Sequence, residues 1–137
     1  MSYEDRDTYG MYKNNNESGP VPGPALMGAD TLIGNEVHNH KGEDLGEIKE
    51  IMLDTKSGKV CYAVVSFGGF LTIGEKLFAV PWDALALDTE HKCFVLNEEK
   101  DRLKAAPGFD KDNWPDMADE TWAKSIHSYY GTESNTH

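Results

Sequence analysis

No stretch of the 137-residue sequence approaches the ~18 consecutive apolar residues that a membrane-spanning helix needs. Cations are few and scattered: 13 Lys and Arg stand against 24 Asp and Glu, a formal net charge of -11. A face for nucleic acid or an anionic membrane needs clustered Lys and Arg to displace counterions, so neither partner is expected. The charge instead favours solubility, with attraction to basic partners as a second effect. Cysteine is scarce too. Cys61 and Cys93 are too few for a disulfide framework, and both fall inside apolar runs, where they read as small buried hydrophobes. Residues Met1 to Asn16 have neither the basic start nor the apolar centre of a secretion signal, so a reducing, cytoplasmic setting is the expectation. Catalytic signatures are missing as well. There is no GxSxG, Walker-type loop, HExxH or Rossmann glycine pattern, because Gly68, Gly69 and Gly74 lead into a strand-like run rather than a helix.

What the chain does have is a glycine-framed apolar tip, Gly68-Gly69-Phe70-Leu71-Thr72-Ile73-Gly74, followed by Leu77 to Val80 and a stop at Pro81-Trp82. Paired glycines before Phe70 signal a sharp bend. Phe70, Leu71 and Ile73 are poor loop residues if fully hydrated, so this tip must be covered by the chain itself or by a partner.

Residues 1–27 hold few aliphatic side chains and end in a Pro/Gly run, which marks a disordered leader. From there to residue 97 the pattern is short strands: Thr31 to Val37, Leu45 to Asp54, Lys59 to Phe67, Leu77 to Val80, Ala84 to Leu87 and Cys93 to Leu96. The second breaks strict alternation, which places a bulge near Lys49-Glu50. The third is apolar on both faces and reads as central. Thr55-Lys56-Ser57-Gly58 is a tight hairpin turn. The expected fold is all-β, a small antiparallel barrel of about six strands, since closure removes exposed edges.

A helical extension over residues 98–131 follows, with a frayed tail at 132–137. Asn97 is positioned to cap a helix over Glu98 to Ala105, which Pro107-Gly108 ends. A second helix is expected from Pro115-Asp116 to Gly131, with Ala118, Trp122, Ile126 and Tyr129 on one face. Such a face of large rings must dock, either on its own barrel or, by swapping, on a neighbour.

Leu45-Gly46-Glu47-Ile48, the Asp54-x-x-Ser57-Gly58 hairpin and the string from Gly68-Gly69-Phe70 through Gly74-Glu75-Lys76 to Val80-Pro81-Trp82 resemble the PRC-barrel family, in particular its stand-alone bacterial members. That family is named for the cytoplasmic domain of the photosynthetic reaction-centre H subunit, and it includes the C-terminal domain of a ribosome-maturation factor. The resemblance spans about residues 29 to 97. The segments Pro107-Gly108-Phe109, Trp114-Pro115-Asp116-Met117 and Tyr129-Tyr130-Gly131 are similar to an extension in a subset of those members. It implies a small β-barrel that acts by contact, with no shared catalytic residue set. The membrane helix of the reaction-centre subunit and the RNA-facing domain of the ribosome factor have no counterpart in this sequence, so neither function transfers directly.

The residues fit three functional classes. In the first, Phe70, Leu71, Ile73 and Trp82, with Trp122, Ile126 and Tyr129 of the last helix, form a protein-binding patch of a non-enzymatic, self-associating module. Its partners are another protein and further copies of the chain, as a homodimer or higher oligomer, and no cofactor is expected. In the second, His38 with His40 and His91 with Cys93, each two residues apart, supply ligands for a metal or small molecule at the barrel mouth. The more economical reading is solvated turn histidines beside a buried thiol. In the third, the rim carboxylates Glu43, Asp44, Glu75 and Asp83 serve a hydrolase, although nothing near them suggests a nucleophile.

Overall fold

A computed structural model describes residues 27–67, 76–88 and 91–132. Its core is one six-stranded sheet built from β1 (Glu36–His38), β2 (Asp44–Leu53), β3 (Val60–Phe67), β4 (Lys76–Pro81), β5 (Leu85–Asp88) and β6 (Cys93–Leu96), in spatial order β4-β3-β2-β1-β6-β5. The first four strands form an antiparallel meander and the last two a hairpin. These pieces meet where β1 runs parallel to β6, pairing Val37 with Phe94 and His38 with Val95. The sheet is therefore mixed, not purely antiparallel as expected, and it curls into a half-barrel.

The curl follows from connectivity. Laid flat, the sheet would hold its outer strands β4 and β5 five spacings apart, about 24 Å. They are joined only by the single 3-10 turn Trp82–Ala84, and four residue steps reach at most about 14 Å. The two borders must bend towards each other.

The register shift between Ile48 and Glu50 supplies the bulge that broken alternation predicts. β3 is buried from Tyr62 through Phe67, as befits a strand covered on both faces. Val37, Leu45, Ile48, Val65, Phe78, Val80 and Leu96 fill the interior.

The first expected strand is corrected. Residues Ala29–Leu32 form a short helical turn, α1, because the N–H groups of Thr31 and Leu32 both donate to the Gly28 carbonyl; Gly34 and Asn35 then bond to Ile48, and β1 itself begins at Glu36. Next come α2 (Lys100–Ala105) and α3 (Glu120–Tyr130). Both start later than their sequence signals indicate. Glu99 stands at the N-cap of α2 in place of Asn97, and Asp119 caps α3 by accepting from the Thr121 N–H. Gly131, at φ 71°, ends α3 as expected.

Between the two helices, Phe109 and Leu77 exchange both backbone hydrogen bonds at 2.9 Å. This two-bond strap covers part of the outer edge of β4, a border that would otherwise be open to strand pairing. Helix α3 then lies over β4 within the same chain.

Candidate interaction surface

The Thr55–Gly58 turn with the adjoining ends of β2 and β3, the Trp82–Ala84 turn and the start of α3 border one concavity. Between them lies an open groove of about 1080 Å³, with Leu53, Met52, Trp82, Met117, Tyr62 and His127 among its walls. Leu53 is 50% exposed, one of two large hydrophobic side chains so exposed among the described residues, the other being Trp114. It stands at the outer lip with Met52 beside it. The apolar run Ile51-Met52-Leu53 carried this signal, but its broken alternation reads first as a bulge.

The floor is organised by aromatic and polar contacts. Tyr62 of β3 meets Trp122 of α3 edge-on at 5.3 Å between ring centroids. Its hydroxyl lies 3.4 Å from Nε2 of His127, whose Nδ1 is 2.7 Å from the Thr132 hydroxyl. Burial moves the Tyr62 phenol above its ordinary pKa, with the neighbouring Cys61 adding to the rise. Burial moves the His127 imidazole below its ordinary value, opposed by the Asp83 carboxylate. His127 is thus a neutral bridge from α3 to the barrel at neutral pH.

The seven residues assigned to partner contact fall into three groups. Phe70, Leu71 and Ile73 lie outside the described residues. Trp82 is half-buried, its ring 5.6 Å from Phe94, and it also lines the groove. The remaining three dock α3 on its own chain. Ile126 is only 2% exposed, Trp122 meets Tyr62 edge-on, and the Tyr129 hydroxyl donates to the Arg102 carbonyl at 2.6 Å. The Arg102 guanidinium sits 4.2 Å from the centre of the Tyr129 ring and donates to the Tyr129 carbonyl. Beneath α3, a small cavity of about 60 Å³ remains between Ala79, Phe109 and Trp122.

The histidines separate as well. His40 is exposed in the turn after β1, and His91 pairs with Asp88 at 2.8 Å. The parallel seam brings His38 to Cys93, with Nδ1 at 3.9 Å from Sγ, while Glu36 lies 3.4 Å from Nε2 of the same ring. Burial raises the Cys93 thiol pKa, and the Asp88 and Glu36 carboxylates push it further the same way. Among the described residues, no group of three or more His, Cys, Asp or Glu side chains is arranged to hold a metal. Of the rim carboxylates, Glu43 accepts from the Asn39 amide at 2.8 Å and Asp44 from the Gly46 N–H at 2.9 Å. Asp83 lies in the groove, and Glu75 falls outside the described residues.

A model of the PRC-barrel domain matches residues 25–103. The chain belongs to the PRC-barrel family. No curated protein matches the sequence. The PRC-barrel match takes in all six strands and ends inside α2, so the Phe109 strap and α3 lie beyond it. One wall of the groove, the β2–β3 end and Trp82, is therefore PRC-barrel, while the other, Met117 through His127, is extension. Among the described residues no helix is long and apolar enough to cross a membrane.

Proposed function

We propose that this PRC-barrel protein is a non-enzymatic interaction module that self-associates and contacts other proteins through its barrel rim and glycine-loop tip. One observation carries the reading: an open groove of mixed polar and apolar lining, with the exposed Leu53 in its wall, lies where the PRC-barrel meets its helical extension. Large exposed aliphatic and aromatic side chains around a concavity are what protein interfaces use as anchors. Phe70, Leu71 and Ile73 supply a second apolar element by composition. In this reading α3 is a fixed wall of the binding surface, because Trp122, Ile126 and Tyr129 already have partners in their own chain.

The test is light scattering over a wide concentration range, on wild type, Leu53→Asp and the double variant Phe70→Asp, Leu71→Asp. Wild type should exceed the monomer mass, and at least one variant should return to it with unchanged circular dichroism. A wild-type protein that stays monomeric at every concentration would defeat self-association.

A further inference from the structure

We propose that Cys93 and His38 form an open two-ligand site for a soft monovalent metal ion, Cu(I), with Glu36 fixing the imidazole. The seam that holds them is the parallel β1–β6 pairing, so both ligands project from paired strands rather than from loops. Cys93 Sγ and His38 Nδ1 stand 3.9 Å apart. With bonds of about 2.3 Å to sulfur and about 2.0 Å to nitrogen, an ion between them is subtended at about 130°. That angle is close to trigonal, and it leaves a third position for a small exogenous ligand such as a low-molecular-weight thiol.

The histidine is prepared for this role. Glu36, 3.4 Å from Nε2, favours the tautomer with its proton on that nitrogen and so turns the Nδ1 lone pair towards the thiol. A carboxylate behind a ligating imidazole is the usual outer support of a metal-bound histidine. Zinc sites draw three or four ligands from the protein, and the described residues offer two in reach of each other. Thiolate with imidazole in low coordination suits Cu(I) instead. Binding breaks the Cys93 S–H bond, releases the proton to water and forms an S–Cu bond, and copper keeps its oxidation state. The ion enters from the His38 side, whose side chain is 28% exposed, since Cys93 itself is only 2% exposed. Cys61, on β3, contacts the Lys59 carbonyl and serves as the internal control thiol.

The experiment titrates reduced, full-length protein with Cu(I) presented by a coloured competing chelator under anaerobic conditions. One equivalent should be withdrawn by wild type and by Cys61→Ser. Cys93→Ser and His38→Gln should each weaken binding at least tenfold with unchanged circular dichroism, and Glu36→Gln about tenfold. X-ray absorption of the loaded wild type should report one sulfur and at least one nitrogen ligand. If variants at Cys93 misfold, this spectrum together with the His38→Gln result decides the matter. Binding that survives loss of Cys93, binding that follows Cys61, or no withdrawal from the chelator would each overturn the assignment. An unchanged affinity in Glu36→Gln would overturn the positioning role.

Discussion

Gly46 lies flat against the backbone of Ser66. A β-carbon placed on it would meet the Ser66 carbonyl carbon at 2.9 Å and the attached oxygen closer still, and its φ of 138° is one that side chains avoid. Strand β2 reaches β3 at this point only because residue 46 has no side chain. Gly46→Ala must therefore bear a backbone strain of about 1–3 kcal/mol and also push the two strands apart. Urea denaturation should show a loss of at least ~2 kcal/mol, while Gly58→Ala, in the open Thr55–Gly58 turn, should lose less.

The docking of α3 rests on Ile126, fully enclosed over the sheet. Ile126→Ala leaves a cavity and should cost about 2–5 kcal/mol if α3 unfolds together with the barrel. If α3 detaches separately, amide exchange will quicken in residues 120–130 and leave β3 protected. Exchange read by mass spectrometry distinguishes the two cases.

Asp119 caps α3 by accepting from the Thr121 N–H at 2.9 Å. Asp119→Ala should destabilise by about 1 kcal/mol, and Asp119→Asn should recover most of it because its carbonyl oxygen can accept the same bond. Thermal denaturation checks both variants.

Burial lowers the His127 pKa from its ordinary 6.5. In the window between the folded value and 6.5 the unfolded chain binds more protons than the folded one, so stability rises with pH there. The contribution is fully present above pH 6.5 and is lost as pH falls through the folded value. His127→Gln should flatten that part of the stability profile relative to wild type, leaving the steeper carboxylate-driven fall at lower pH.

Local chemistry made much of this fold legible and long-range closure made the rest obscure. Val60 to Phe67 announces a central strand because every position is apolar or small, and Lys49-Glu50 betrays the bulge because alternation fails there. Thr31 to Ile33 misleads because β-branched residues favour extension, while the Gly28 carbonyl collects two N–H groups and winds the segment into a turn. The start of α3 is ambiguous in the sequence because Pro115-Asp116 and Asp119-Glu120 are both good initiators, and only packing chooses between them. The parallel seam has no local signature at all: Val37 and Phe94 become neighbours only when the whole sheet has curled. The same distance hid the approach of His38 to Cys93. The groove at Leu53 has no local signature either, since its other wall comes from α3, far along the chain.

That seam also sets an order of assembly. A ribosome delivers β1 first and β6 last, yet each needs the other as a lateral neighbour. The meander β1 to β4 can therefore begin to pair while synthesis continues, with the far side of β1 left waiting and open to any passing strand. Only when residues 93–96 emerge is that flank sealed, so the nascent chain is at greatest risk of pairing with a sister chain during the interval between its fourth and sixth strands.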